Sequence, residues 1–302
     1  MSQIASAVRL AALLRNGLPT RMSLRLAARI ADWQYRRAST ERAAVRANLT
    51  LITGNRTPED SPLIRDVFRN FAYYLVEFFH AHRYLRLPVE VEGDDRLSGV
   101  LASGKGGIML SAHLGNWELG AVALSRLGLP MHAVALPHGD PPMNELFDRQ
   151  RRRCGVGVVP VGVHATRQCL QILRRGELLG IVGDREFGPN GVSVSFLGRA
   201  VELPRGPAIL SLRTGAPVIP VFLIREDAWR FRLYLEEPIY PPQRRCASRD
   251  THDLTQAYAA VLARYIQRFP TQWGIFQPVA CATPDGEQPT HEPSVVCGDS
   301  RL

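Results

Sequence analysis

A histidine and a glutamate stand five residues apart in "SAHLGNWELG", just after the apolar run "GIMLSA". The imidazole of His113 can take up a proton near neutral pH, and a nearby carboxylate such as Glu118 would fix its tautomer and stabilise its charged form. Asn116 is a good N-cap residue, which would place Glu118 in the first turn of a helix. The alternative is a structural role, with Glu118 simply favourable at a helix N-terminus.

A second polar group, "GDRE", follows the apolar run "LLGIVG". In an open α/β sheet, ligands bind outside the carboxyl ends of the strands, so Asp184, Arg185 and Glu186 are expected to face the same crevice as His113. Arg185 would hold a phosphate or stabilise an oxyanion. The alternative for Arg185 is a salt bridge to one of its acidic neighbours.

A third candidate group, Arg205 and Gly206, precedes the apolar stretch "PAILSL". The pattern predicts a helix that begins at this point. Backbone N–H groups at a helix N-terminus favour anions, so Arg205 and Gly206 are predicted to form an anion site.

These groups need a scaffold, and the sequence from about residue 88 alternates apolar β-rich runs with helical stretches. Strands are predicted at 107–112, 131–136, 155–161, 178–183 and 216–224, with a later antiparallel strand at 231–239. Helices are predicted at 116–127, 142–153, 165–175, 206–214 and 253–269. Near-continuous apolar strands between helices favour an α/β fold with a mostly parallel central sheet flanked by helices.

Three regions are predicted: an N-terminal helical region (1–85), an α/β domain (86–280) and a polar, proline-rich, disordered tail (281–302). No run reaches the ~18–20 apolar residues of a spanning helix. Arginines interrupt the apolar residues of the first 37 positions, as in helices that lie in a bilayer interface. Packing of these helices as a cap on the core is an equal alternative.

The net charge of +9 over 302 residues indicates an anionic partner: a membrane surface, a phosphorylated substrate or nucleic acid. Only Lys105 among the 37 basic residues is a lysine, and arginine suits phosphates and carboxylates. The five cysteines form no CxxC pair, which favours a reducing compartment and no zinc site. No GxSxG nucleophile motif, complete phosphate loop or nucleic-acid-binding motif is present.

The stretch "SAHLGNWELG" resembles the first motif of the bacterial lipid A biosynthesis acyltransferases, the lauroyl and myristoyl transferases. These belong to the wider glycerophosphate and lysophospholipid acyltransferase superfamily, with phosphatidylinositol mannoside acyltransferases as close relatives. The resemblance spans roughly residues 5 to 278. It includes "GDRE", "VSFLGRAVELPRGPAILSLRTGAPVIPVF" and "FPTQWGIFQPV".

The resemblance implies a glycerophosphate-acyltransferase-like fold and a membrane-associated O-acyltransferase. His113 would deprotonate an acceptor hydroxyl, Glu118 would orient His113, and the oxygen would attack an acyl thioester directly. Substrate contacts are then expected from the following residues: Asn116, Asp184, Arg185, Glu186, Arg205 and Gly206. No metal and no cofactor are expected beyond the thioester co-substrate, which is carried by acyl-carrier protein or coenzyme A.

The acceptor stays open among a lipid A precursor, a phosphatidylinositol mannoside and a lysophospholipid. The ending "QWGIFQPV" looks more like the mannoside enzymes. The expected location is the cytoplasmic face of the bacterial inner (plasma) membrane, as a monomer without nucleic acid. Two alternatives are a non-catalytic basic protein that binds membranes or nucleic acid, and a hydrolase that shares the same site.

Overall fold

The computed structural model describes residues 18–84, 89–137, 140–186, 188, 190–228, 230–242 and 247–279. The predictions for the first 17 residues and for the tail lie outside this range. Among the described residues, no helix combines the length and the apolar character needed to cross a bilayer.

The five helices predicted beyond residue 88 are all present, the last of them beginning earlier than predicted, and a further helix at 94–102 was not predicted. In chain order the described helices are α1 (Thr20–Arg37), α2 (Ser39–Thr53), α3 (Pro62–Phe79), α4 (Ala81–Tyr84), α5 (Asp94–Ala102), α6 (Trp117–Arg126), α7 (Pro141–Arg153), α8 (Ala165–Arg174), α9 (Gly206–Thr214) and α10 (Ala247–Arg268). A short 3₁₀ turn, Pro270–Gln272, follows α10.

Seven strands form one sheet in the order β1-β9-β8-β2-β5-β3-β4, and two more form a separate hairpin. The strands are β1 (Val89–Glu92), β2 (Gly107–Ser111), β3 (Met131–Ala135), β4 (Val156–Pro160), β5 (Leu178–Val182), β6 (Gly191–Phe196), β7 (Arg199–Pro204), β8 (Val218–Arg225) and β9 (Phe231–Leu235). Only the β8–β9 pair of the large sheet is antiparallel. The predicted α/β class with a mostly parallel sheet is confirmed.

Strand β2 lies in the middle of this sheet and is buried along its whole length. Ile108 and Leu110 point into one apolar cluster, and Met109 points into the cluster on the other face. A strand covered on both faces has no polar side, which is why its sequence is a continuous apolar run.

The neighbours of β2 decide which loops meet at the carboxyl edge. β2 pairs in parallel with β5, with Ser111 opposite Val182, and the Gly183 N–H donates to the Ser111 carbonyl at 2.9 Å. The loops that follow β2 and β5 therefore leave the sheet side by side. This places "SAHLGNWELG" directly beside "GDRE".

The hairpin of β6 and β7 was not anticipated from the sequence. Its two-residue turn, Leu197–Gly198, has φ of 52° and 77°. Positive φ at both central positions matches the twist of a hairpin, but Asn-Gly is the usual pair there. The Leu197 side chain is buried in the core, so packing compensates for the unfavourable backbone conformation.

Within the N-terminal helical region, α1 packs on α3 through a cluster of charges. Asp32 on α1 accepts hydrogen bonds from Arg65 and Arg69 on α3, at 2.5–2.8 Å. The hydrogen bonds from Arg65 and Arg69 hold the pKa of Asp32 well below its usual range. Small residues of α1, such as Ala27 and Ala31, are buried and let the two helices approach closely.

Candidate active site

The loop after β2 is held tightly against β8. Gly115 has φ of 63°, and a Cβ there would lie 2.1 Å from the Leu223 carbonyl oxygen, so only glycine fits. The Asn116 N–H donates to that same carbonyl at 2.8 Å. Contacts with strand β8 therefore hold the backbone of the loop that carries His113.

His113 is paired with Asp184 from the loop after β5. The imidazole Nδ1 lies 2.7 Å from Asp184 Oδ1, and the His113 backbone N–H donates to Asp184 Oδ2 at 2.9 Å. The Asp184 side chain is fully buried, whereas the His113 side chain is 25% exposed. With Nδ1 held by the carboxylate, Nε2 is the nitrogen left to meet a substrate.

Trp273 completes the environment of Asp184. Its indole Nε1–H donates to Asp184 Oδ2 at 2.7 Å, and the indole is buried. Burial alone would raise the pKa of Asp184, but the His113 charge and the hydrogen bonds from His113 and Trp273 outweigh it and lower that pKa. Asp184 is thus an ionised, oriented partner for the imidazole.

The segment that carries Trp273 is held to the rest of the protein by backbone and side-chain hydrogen bonds. Gly274 N–H donates to the His113 carbonyl at 2.8 Å, and Gly115 N–H donates to the Gln272 carbonyl at 3.1 Å. On the other side, the Asn48 side chain of α2 bonds to the backbone at three positions further along: Ile275, Gln277 and Val279. The segment at 272–279 and the loop at 112–116 that carries His113 (the histidine loop) are therefore held together.

Glu118 does not bind His113, so the prediction that it orients the imidazole is wrong. Its carboxylate receives the guanidinium of Arg151 on α7 in a two-pronged ion pair, with Arg151 Nε 2.9 Å from Oε2. Arg151 also donates to Asp148 at 2.9 Å. The fork of an arginine matches a carboxylate in this way, and both side chains are largely buried.

Asn116 caps α6, as predicted, by accepting a hydrogen bond from Leu119 N–H at 2.9 Å. Its amide also donates to Glu77 at 2.9 Å, and Glu77 forms a buried ion pair with Arg225 at 2.7 Å. Because Asn116 is 1% exposed and bonded inward, the predicted substrate contact is corrected to a role in positioning the loop. The predicted substrate contact of Asp184 is corrected likewise, since that carboxylate is buried against His113.

Aromatic side chains cover the imidazole on one side. The Trp117 ring packs edge-to-face with His113 at 5.1 Å between centroids, and Tyr74 stacks on Trp117 at 4.2 Å. Such pairs add stability and restrict the rings to one arrangement. His113 is therefore oriented from two sides, by Asp184 and by Trp117.

A cavity of about 1660 Å³ opens beside His113. One part lies between the sheet and the helices α6 and α7, where small residues such as Gly120, Ala133 and Gly180 leave space. Apolar residues such as Met131 and Phe147 line most of this part, together with the Glu118–Arg151 ion pair. The cavity thus combines a titratable group at its rim with an apolar interior.

The remaining predicted substrate residues all border this cavity: Arg185, Glu186, Arg205 and Gly206. The N-terminus of α9 thus lies at the same opening as Arg185. Contacts between these residues and a substrate stay a prediction.

The comparison with known proteins now decides the family. The profile of the bacterial lipid A biosynthesis acyltransferase family matches residues 3–279. The chain belongs to this family. It is accordingly an acyltransferase, and the predicted resemblance is confirmed.

Two relatives illustrate the range of the family. The chain is 30% identical over 245 residues to a phosphatidylinositol mannoside acyltransferase of Mycolicibacterium smegmatis, covering 78% of each protein. It is 24% identical over 215 residues to a lipid A biosynthesis acyltransferase of Haemophilus influenzae, covering 68% of this chain and 66% of the relative. A solved structure, the 1-acyl-sn-glycerophosphate acyltransferase of Thermotoga maritima, matches with a TM-score of 0.36 and 17% identity, covering 69% and 88% of the two chains.

Three features of this acyltransferase site were missed by sequence reasoning. Asp184 was expected near His113 but not as its partner, Arg151 was one of a run of arginines, and Trp273 was seen only as part of "QWGIFQPV". The apolar stretch "WGIF" after the last predicted helix was the available signal for a buried Trp273.

Proposed function

We propose that this acyltransferase moves a fatty acyl chain from an acyl thioester to a hydroxyl of a membrane glycolipid, with His113 as general base and Asp184 as its orienting partner. The single observation behind this is the 2.7 Å contact of His113 Nδ1 with a buried carboxylate at the rim of a large, mainly apolar cavity. The exposed part of the imidazole is then Nε2, the atom that must accept the proton.

The reaction balances without a covalent enzyme intermediate. Nε2 takes the proton of the acceptor hydroxyl as its oxygen attacks the thioester carbonyl, so a C–O bond forms. The tetrahedral intermediate collapses, the C–S bond breaks, and the imidazolium gives its proton to the departing sulfur, so a thiol leaves and neutral His113 is restored. Asp184 stabilises the positive charge on His113 between these two steps.

Arg185 and the N-terminus of α9 supply positive potential at the opening. Arg205 and Gly206 border the same space, and phosphates bind well at helix N-termini. These groups would hold a phosphate of the thioester carrier or of the acceptor, and would favour negative charge on the carbonyl oxygen as it develops. Both acyl-carrier protein and coenzyme A present such a phosphate.

The size of the cavity favours two substrates rather than one. Pockets for a single small molecule usually measure about 300–1,000 Å³, and this cavity is larger. The apolar part between the sheet and α6 and α7 suits a fatty chain, and the wider polar opening suits the head of an acceptor. Since the two named relatives act on a phosphatidylinositol mannoside and in lipid A biosynthesis, we propose a phosphorylated glycolipid acceptor.

The exposed residues of helix α1 support a location at a membrane surface. Its exposed face presents Trp33 together with several arginines, and the Arg37 guanidinium lies 4.7 Å from the Trp33 ring centroid. The exposed arginines are Arg21, Arg25, Arg29, Arg36 and Arg37. Arginines meeting lipid phosphates around an interfacial tryptophan are typical of helices that lie on an anionic leaflet. We accordingly propose the cytoplasmic face of the inner membrane as the location.

The decisive experiment replaces His113 with alanine and measures acyl transfer from palmitoyl-coenzyme A and from palmitoyl-acyl-carrier protein to extracted glycolipids. Loss of general-base catalysis is expected to lower turnover about 10²–10⁴-fold. His132→Ala is the matched control, because His132 also pairs with a carboxylate, Glu177, at 2.8 Å but does not border the cavity. Equal turnover in the two variants would refute the proposal.

Two other functions give different results in the same assay. A hydrolase would release fatty acid at the same rate with and without the glycolipid. A non-catalytic basic protein would show salt-sensitive binding of vesicles or nucleic acid and no turnover with either donor.

A further inference from the structure

An apolar patch lies at the carboxyl edge of the sheet and is made by two neighbouring loops. Val163, between β4 and α8, is 95% exposed, and Val161 is 45% exposed. Leu136, just after β3, is also 45% exposed. The two loops are joined, because the Val161 N–H donates to the Ala135 carbonyl at 2.9 Å. We call Leu136, Val161 and Val163 the apolar lip.

Val163 contributes little to the folded state, because almost all of it is exposed. Single exposed apolar residues are normal on proteins, but adjacent ones at the border of a cavity indicate an interaction surface. Val161 and Leu136 border the same cavity as His113. Whatever covers the lip therefore lies at the mouth of the acyltransferase site.

The charges around the lip select the kind of surface that would cover it. From Val161 to Leu173 the chain has no acidic residue, and its basic residues next to the lip are His164 and Arg167. Arg167, in the first turn of α8, is exposed directly behind the loop. An apolar tip backed by positive charge complements an anionic bilayer, where apolar side chains enter the interface and arginines meet phosphates.

We propose that the apolar lip inserts into the interface of an anionic lipid bilayer and turns the mouth of the cavity toward the lipids. This inference rests on the proposed function, because a membrane glycolipid is the substrate that would need to pass from the bilayer into the cavity. It adds a second membrane contact to the face of α1, on loops that belong to the α/β domain itself. The N-terminus of α2, which follows α1 in the chain, borders the same cavity through Thr40 and Glu41.

The test measures binding of the full chain to vesicles of phosphatidylglycerol and phosphatidylcholine. Val163→Asp is expected to weaken binding about tenfold, because it removes the burial of a valine and adds a negative charge. Leu127→Asp is the matched control: it makes the same change in net charge at a residue that is 60% exposed, at the opposite edge of the sheet. The control is expected to bind as the unsubstituted protein does.

Insertion is checked directly with Val163→Trp. Its fluorescence is expected to shift to shorter wavelength on vesicles and to be quenched by brominated acyl chains beyond the quenching of the unsubstituted protein. Leu127→Trp should show no added quenching. Since both positions are exposed, unfolding does not complicate the comparison, and thermal unfolding of each variant verifies this.

Three results would overturn the inference. Vesicle binding of Val163→Asp could equal that of the unsubstituted protein, or Leu127→Asp could lose as much, or the tryptophan at 163 could remain unquenched. If vesicle binding is unchanged while Val163→Asp raises the concentration of acyl-carrier protein needed for half-maximal rate, the lip binds the carrier instead. These measurements are separate from the His113→Ala assay, so failure of the chemistry and failure of the lip are distinguishable.

Discussion

Two carboxylates lie near His113, and the structure gives them different partners. Glu118 is five residues away in the chain, yet it binds Arg151. Asp184 is 71 residues away and contacts the imidazole at 2.7 Å. The difference shows that spacing along the chain identified the loop, whereas the order of strands in the sheet selected the partner.

The two pairs also differ in how their charges are balanced. Asp184 is hydrogen-bonded by three N–H groups, and one of them belongs to an imidazole that can gain a proton, so the negative charge of Asp184 can stabilise a new positive charge. Glu118 faces a permanent cation. Burial would lower the pKa of Arg151, but the attraction of Glu118 outweighs it and raises that pKa, so the pair stays ionised. Glu118 and Arg151 form a fixed wall of the cavity.

The largest effect is expected from Asp184→Asn. An asparagine can donate its amide to Nδ1, which would move the imidazole proton to Nε2 and remove the site that accepts the substrate proton. Turnover is expected to fall about 10⁴-fold, as for the equivalent change in serine proteases. The measurement is the rate of acyl transfer at saturating donor. A fall no larger than that of Glu118→Gln would reverse the assignment of the two carboxylates.

Glu118→Gln is expected to act mainly on stability. It breaks the buried ion pair and leaves Arg151 with Asp148 as its remaining carboxylate, which costs about 3 kcal/mol in free energy of unfolding, the low end of the range for a broken buried pair. Distortion of the cavity wall should lower turnover by roughly 10²-fold. The double variant Glu118→Gln with Arg151→Met removes both charges and should regain most of the lost stability, measured by urea unfolding. Failure of the double variant to regain stability would show that Glu118 has another essential contact.

Most strands and helices of the α/β fold could be predicted from the sequence, and in the site His113 could be predicted but its partner could not. The apolar runs predicted the strands because both faces of the sheet are covered, and His113 followed from its place after β2. Its partner could not be predicted, because β5 lies beside β2 although two strands separate them in the chain. The hairpin of β6 and β7 was missed because the turn at Leu197–Gly198 lacks the usual residues.

Trp273→Phe removes one hydrogen bond to Asp184 and leaves the carboxylate itself in place, so it is a finer test of the His113–Asp184 pair. The phenyl ring retains most of the packing but donates no hydrogen bond to Oδ2. Partners that orient a catalytic pair usually contribute about 10–100-fold, and the lower value is expected for one bond of three. Turnover should fall while KM is unchanged, because the substrates do not contact Trp273 and only the orientation of the His113–Asp184 pair is affected. Trp33→Phe, on the exposed face of α1, is the control. Turnover equal to that of the control would reduce Trp273 to a packing role.

The smallest effect is expected in the dependence of stability on pH. The pKa of Asp184 is lowered in the folded state, and the unfolded value is about 3.9. A carboxylate with a depressed pKa stabilises the fold above the unfolded pKa, and this contribution is lost as the pH falls through the folded one. The difference in free energy of unfolding between the unsubstituted protein and Asp184→Asn should therefore shrink as the pH falls below about 4. Urea unfolding at each pH measures it, with Glu237→Gln, an exposed carboxylate, as the reference. A difference that stays constant down to pH 3 would mean that the charge of Asp184 does not contribute to the stability of the histidine loop.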